Sequence, residues 1–583
     1  MLVVFMKIKE LKSKSKKTIK KHYLLLIFLC LLSAFFNSEF SNSLTLIKGQ
    51  NLTNIVGSFR GKKNKVIEEK NKIVKDIKSN PAFSKKKGIF ATAINTFSSN
   101  NVSALFKDLV ISIINSKNIL ILLLVILSFM FLFIIYYYIK GILSVIIRRS
   151  FLEARLYDQI PAHRIAYLFH SKYSFNIVFT MFIKRLYQFL WDFTIIGGVI
   201  KHYSYRLVPY ILAENPSMKA NEVIKLSQNM MQGYKWRLFK IDLSFILWDL
   251  LDLFTFGLVG IFYANPYKLC VESEFFVKVR SDALIKKVEL SYNLSDTYLY
   301  SLADKELLNE TYSDILIKEE VIKKEDIALN GFKGFILKYF GITLYSEEFS
   351  AKYNDLAALK MKIEGDKNIL EQKSYPIRLS PIKEKERKMK IDKINYLKGY
   401  TVISIIALFL IFSMIGWTWE VMLHLIKRGN FVNRGVLFGP WLPIYGSGGI
   451  LILTILNKYR NQPKLEFLYA VLLCGIVEYF TSVYLELTHD GMRWWNYSGY
   501  FLNLNGRICL ENLLVFGLGG IAVVYAIAPY IDNVLKKFNK KILTSVVWII
   551  LSIFIVDQIH SSFVPNTGKG VSSNPTRITN VKK

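Results

Sequence analysis

The chain has 583 residues, 52% of them hydrophobic, with 77 Lys and Arg against 44 Asp and Glu, a formal net charge of +33. That length allows two or more domains, and that hydrophobicity, gathered into blocks of about 20 residues, excludes an ordinary soluble protein. The charge does not mark a nucleic-acid binder. Much of the excess lysine flanks apolar blocks, where the positive-inside bias and anionic headgroups account for it, and no basic stripe interleaved with stacking aromatics appears. The partner implied is the lipid bilayer, with no nucleic acid; oligomeric state stays open.

The first 21 residues carry eight lysines, followed by the apolar run YLLLIFLCLLSAFF, Tyr23 to Phe36. This has the form of a signal sequence over residues 1–37, and a cleaved signal and an uncleaved anchor both fit. Residues 38–117 are polar and lysine-rich and read as an extracytoplasmic solvated helix or tether. Ile119 to Tyr138 is an unbroken apolar span, and Lys140, Arg148 and Arg149 after it mark the cytoplasmic side.

Two further apolar stretches, Phe175 to Ile200 and Ile241 to Tyr263, are interrupted by Lys184, Arg185, Gly197, Gly198, Asp242, Asp249 and Asp252. The connector between them is basic, so the positive-inside rule holds it in the cytoplasm, whereas two simple spans would put it outside. Re-entrant or interfacial helices broken at the Gly-Gly pair would settle the conflict. The stretches YSYRLVPYILAENP, MMQGYKWRLFKIDLSFILW and GLVGIFYANPY resemble a bacterial membrane family known as domain of unknown function 975, over residues 150–275. That resemblance implies a membrane location, with residues 118–275 as one membrane domain, and no activity.

Residues 276–395 are charged, with both signs interspersed, and predict solvated amphipathic helices in the cytoplasm. SYPIRLSPI marks an extended linker, and KEKERKMKIDK flags the cytoplasmic entrance to the next block. Five apolar segments follow within residues 396–562: Val402 to Leu423, Leu437 to Leu456, Leu465 to Leu487, Cys509 to Tyr530 and Ile542 to Val556. A polar tail occupies 563–583. The fold class expected is all-α: a polytopic integral membrane protein, a helical bundle of about seven to nine membrane segments with a cytoplasmic helical and linker region. Its place is the bacterial cell membrane, and the wealth of Lys, Ile, Asn, Phe and Tyr suggests an AT-rich bacterial genome.

With KEKERKMK held inside, lysine-rich loops alternate with lysine-poor ones, and the chemistry-bearing side chains collect at the outer ends of the five spans. Glu420, Asn433, Arg434, Glu486, Glu511 and Asp557 lie there, with His489, Arg493, Arg507 and His560 at about the same level. Glu478 alone lies deep, and Glu478, Ser482 and Glu486 at i, i+4, i+8 share one helix face. Charges in a span are costly and normally face a bundle interior or an aqueous cavity, so these residues outline a candidate polar cavity opening outward. Snorkelling charges and plain structural ion pairs give the same pattern at span ends, and Trp494, Trp495 and Tyr497 read first as an interface belt.

The blocks IGWTWE, NRGVLFGPWLPIYG, EYFTSVYLE, RWWNYS and NLNGRICLEN resemble the CmpB-type ABC-transporter permease family, also labelled ABC-transporter type IV, over residues 400–562. In that family an aspartate is expected after Trp494, and this chain has Trp495 there, so no carboxylate acts at that position. The resemblance implies a transport permease subunit that needs an ATPase. The chain has no G-x-x-x-x-G-K-[ST], so the ATPase would be a separate subunit docking on the 201–240 connector or on 276–395. Two other classes stay open. One is an intramembrane enzyme acting on an outer-leaflet lipid or polyprenyl-linked substrate, the other a non-catalytic scaffold or envelope-stress factor. No catalytic residue, cofactor or metal site is assigned, and Cys30, Cys270, Cys474 and Cys509 lack disulfide or zinc spacing.

Overall fold

The computed structural model describes residues 7–36, 39–40, 113, 118–161, 168–169, 171–255, 257–324, 329–382, 395–489, 491, 493–498 and 502–566. The polar segment expected over 38–117 falls almost wholly outside them, as does the tail from residue 567. Helix dominates what is described, and five helices are long and apolar enough to cross a membrane.

The basic and apolar halves of the N-terminus form one helix, α1 (Ile8–Phe35), whose non-helical backbone at His22 sits where lysines give way to leucines. Leu26, Leu29 and Cys30 are buried in the core that also holds the long helix Asn265–Ile285. Cleavage after Phe36 would strip those side chains from it. The next helix among the described residues, α2 (Ile119–Ala154), follows the mostly undescribed residues 37–117 and is 36 residues long, or roughly 54 Å at 1.5 Å per residue, far more than a bilayer core needs. The excess is enclosed by protein. Every residue from Lys140 to Ala154 is buried.

The two interrupted stretches become helical hairpins. The first is α3 (Ser174–Asp192) and α4 (Ile196–Ser204). The break falls at Phe193–Ile195, where Ile195 has φ 53°, just before the Gly-Gly pair. The glycines serve contact instead: a Cβ on Gly198 would meet the Asp192 backbone at 2.9 Å. Gln188 stitches the arms by donating to the Gly198 carbonyl at 2.9 Å. After α5 (Val208–Glu214) and α6 (Ala220–Met230), α7 (Lys235–Leu243) and α8 (Ile246–Phe254) lead into the second hairpin. It turns at Gly257, φ 91°, and returns through a π-turn, Gly260–Ala264, into α9 (Asn265–Ile285). Asp252 accepts the Gly260 amide at 2.5 Å, so this carboxylate closes the turn. Nine residues of helix reach only about 14 Å, so α4, α7 and α8 are each too short to cross. Their outward sides are apolar, with Phe193, Ile195, Ile196, Leu247 and Phe254 exposed.

Residues 305–370 form α10 (Lys305–Thr311), α11 (Asp314–Lys324), α12 (Gly331–Phe340) and α13 (Glu347–Leu370). Arg378 clamps α10, α11 and α13: it donates to Asp314 at 2.6 Å, Asp366 at 2.7 Å and the Thr311 carbonyl at 3.0 Å. A two-residue parallel pair, β1 (Ile342–Thr343) with β2 (Tyr400–Thr401), joins this region to the start of the last block.

That block comprises α14 (Val402–Arg428), α15 (Pro443–Ile455), α16 (Pro463–Thr488), α17 (Leu510–Ala522), α18 (Ala528–Leu535) and α19 (Lys540–Phe563). Thr401 caps α14 on the Ser404 amide at 3.1 Å, and Gly429 ends it in the left-handed region. A π-turn, Val523–Ile527, carries α17 into α18. The second expected span is half a helix: Pro443 stands in its first turn, and residues 435–442 approach it without helical structure. At one end of the bundle buried Lys398 meets buried Asp532 at 2.6 Å, and Arg460 donates to the Tyr396, Lys398 and Leu453 carbonyls at 3.2, 2.9 and 2.5 Å. Loop 429–442 and the described residues of 489–509 cover the opposite end.

Candidate functional site

A cavity of about 660 Å³ lies among α14, α15, α16 and α17 beneath those two loops. Its wall is mostly apolar and aromatic. Space for it comes partly from Gly448 and Gly519, which line it and where an added Cβ would meet nothing within 4 Å. Other glycines of the same helices do the opposite work. A Cβ on Gly446 would stand 2.5 Å from the Phe409 carbonyl oxygen, so that glycine lets α15 close on α14.

Three charged side chains face the cavity among the described residues: Glu420, Arg434 and Glu478. Arg434, on the loop after α14, donates to Glu420 Oε2 at 3.1 Å, and the Tyr445 hydroxyl donates to Oε1 at 3.1 Å. This carboxylate is therefore compensated. Glu478, midway along α16 and 4% exposed, is not. Its Oε1 accepts from the Tyr497 hydroxyl at 2.9 Å, while Oε2 is buried without a hydrogen bond. No described cation lies within 4 Å of it, and the charge acting on it is a like one, Glu420. The Asn512 side chain sits beside it, 1% exposed, with Oδ1 also unpartnered, and the buried Trp494 Nε1 is in the same state.

The loop over the cavity is hung from α16. Its backbone folds back on itself through Leu504 and Ile508, and the Tyr497 amide donates to the Gly506 carbonyl at 2.7 Å. That turn drops Tyr497 toward Glu478. Trp494 and Tyr497 are 4% and 8% exposed and line the cavity. The belt expected from RWWNYS is instead part of the wall, because the folded loop turns these rings inward.

The remaining sequence candidates fall elsewhere. Ser482 and Glu486 do continue the Glu478 face of α16, but they serve an ion cluster outside the cavity lining. Arg507 donates to Ser482 at 3.2 Å and to Glu486 at 2.5 Å, and Arg493 grips Glu486 with two bonds at 2.8 and 3.0 Å. Asn433 is a loop brace, accepting from the Trp417 indole at 2.6 Å and donating to the Phe438 carbonyl at 2.7 Å. Asp557, on α19, accepts from the Phe438 and Gly439 amides, the Trp441 indole and the Ser561 hydroxyl at 3.1, 2.8, 2.6 and 3.1 Å. The side chain of Glu511 lies outside the described residues. Sequence reasoning missed Tyr445 and Asn512 and read Tyr497 as a belt residue, although each stands inside a quoted block; only the fold shows that they meet.

Among the described residues no group of three or more His, Cys, Asp and Glu side chains is placed to hold a metal ion. The four cysteines are buried, and none of them is in a disulfide.

No curated protein and no solved structure matches this chain. Two family models do. Residues 6–283 match the family described as "Protein of unknown function (DUF975)", a stretch that takes in α1 and begins well before the blocks at 150–275. Residues 407–562 match the family described as "Putative ABC-transporter type IV", and that stretch contains the whole cavity wall.

Proposed function

We propose that the chain is the membrane subunit of a transporter whose substrate site is the cavity, with ATP hydrolysis supplied by another chain. The observation that carries this is the asymmetry of the last block. A roomy cavity lies toward one end, while the other end is filled by the Lys398–Asp532 pair and the Arg460 bonds. A cavity confined to one end of the bundle, with the other end filled, is what a transporter needs in one of its two states. Charge on the loops supports an outer-side cavity, since Lys458, Lys464, Lys536 and Lys537 flank the filled end.

A count of seven to nine membrane segments would add α1, α15 and the two hairpins to the five long spans. On this reading the hairpins enter the bilayer without crossing it, which leaves the basic connector in the cytoplasm.

The ATPase would dock where 331–343 meets the filled end. The Asn457 side chain donates to the Lys338 carbonyl at 3.0 Å, β1 pairs with β2, and Phe332, Phe335 and Tyr339 of α12 stay exposed beside these contacts. Affinity purification from the native membrane should recover an ATPase subunit, and ATP-dependent uptake by the reconstituted pair should stop in Glu478→Gln. Recovery of the chain with no ATPase, or uptake indifferent to that substitution, overturns the reading.

A further inference from the structure

The charge inventory of the cavity points to a ligand class. Among the described residues lining it, Glu420 and Arg434 pair with each other, which leaves Glu478 as the carboxyl without a counter-charge. Ionising such a group is costly until a cation reaches it, so a cationic ligand is what would compensate it. Glu478 and Asn512 both line the cavity, and one oxygen of each, Oε2 and Oδ1, is buried without a hydrogen bond. The same lining carries the rings of Trp494, Trp495, Tyr445, Tyr484 and Phe412. A carboxyl and aromatic rings in one cavity are the two features that bind an organic cation, through charge-assisted hydrogen bonds and ring quadrupoles. The volume of about 660 Å³ suits a ligand with a sizeable apolar body.

We propose that the cavity takes an amphiphilic ammonium compound, the cationic head on Glu478 and Asn512 and the apolar body against the aromatic wall. This rests on the cavity being the substrate site. Positive potential does reach the region from two sources. The starts of α15 and α17 each carry roughly half a charge, but Pro443 has no amide hydrogen and the Tyr445 amide is already given to the Leu442 carbonyl at 3.1 Å. Arg493 and Arg507 share Glu486 outside the lining. His489 also lines the cavity, yet no described cation lies within 4 Å of Glu478, so the place of its counter-charge is open to a ligand.

The test uses the full chain in lipid nanodiscs and isothermal titration with a pair of matched probes, 1-naphthylmethylammonium and 1-naphthylacetate. The cation should bind saturably and the anion should not. Glu478→Gln should weaken the cation roughly tenfold or more, as expected for loss of one charged contact, while Glu478→Asp keeps most of the affinity. Binding of the anion as tight as that of the cation, or cation binding unchanged in Glu478→Gln, overturns the proposal. The wild-type comparison of the two probes needs no variant, so it decides the matter even if Glu478→Gln fails to fold. The two readings fail separately. Cation binding without ATP-driven uptake sinks the transporter, and ATP-driven uptake of an anion through the cavity sinks the ligand class.

Discussion

Asp557, on the last helix, holds the Trp441 indole at 2.6 Å together with two backbone amides of the loop 433–442. A loop rich in glycine and proline cannot fix its own shape, and this carboxylate supplies the acceptors that its amides lack. Asp557→Ala should leave those donors unsatisfied and cost about 2–4 kcal/mol, since hydrogen bonds to charged groups are worth more than neutral ones. Thermal unfolding in detergent should show the loss, and naphthylmethylammonium binding should fall with it although Asp557 does not line the cavity.

The glycines of the wall make a sharper pair of expectations. Gly448→Leu and Gly519→Leu place side chains into open space, so they should abolish ligand binding while leaving thermal stability unchanged or raised, because glycine costs about 1 kcal/mol in a helix. Gly446→Ala should lower stability instead, because its Cβ has a carbonyl oxygen at 2.5 Å. If all three behave alike, the cavity is not the space described.

Glu420 and Arg434 should behave as a unit. Arg434→Met removes the counter-charge of a partly buried carboxylate, and Glu420→Gln that of a guanidinium; each single change should cost roughly 1–3 kcal/mol, and the double change less than their sum. A double-mutant cycle by thermal or denaturant unfolding measures the coupling. A value of zero would make the pair a surface feature without weight.

Arg378 is the side chain that ties α10, α11 and α13 together. Arg378→Ala removes three bonds and a ring contact with Tyr312 at 4.3 Å, so limited proteolysis should open the 305–380 region first while the spans stay protected. Asp314 has its pKa lowered to about 2, chiefly by hydrogen bonds from Arg378 and then Lys318. A carboxyl depressed in the folded state contributes stability that is present above its ordinary pKa near 4 and lost as pH falls through about 2. The acid sensitivity of this region should therefore weaken in Arg378→Ala.

Much of the scaffold was legible from residue spacing. Long apolar runs such as Ile119 to Tyr138 leave helix as the only lipid-compatible choice, and Glu478, Ser482 and Glu486 do share a face because 3.6 residues per turn demands it. What the spacing could not say is which neighbours each face would find. Glu478 and Glu486 sit about two turns apart on one stripe, yet one meets Tyr497 in the cavity and the other meets two arginines above it. That division depends on how residues 493–508 fold back, a matter of backbone hydrogen bonds between Tyr497 and Gly506 that no periodicity encodes. The hairpins were half visible. The conflict of charge with hydropathy flagged them, but the break fell at Ile195 and not at the glycines, because glycine was needed for close approach to Asp192.

The bonds from Asp557 also set an order of events at the ribosome. Every side chain of the cavity floor, from Glu420 to Asn512, has been synthesised before residue 557 emerges, yet the loop that walls it has no acceptor for its Gly439 amide until then. The cavity is thus completed last, by the final helix arriving in the membrane. A chain stalled before that point would hold most of its bundle around a space with one side still open.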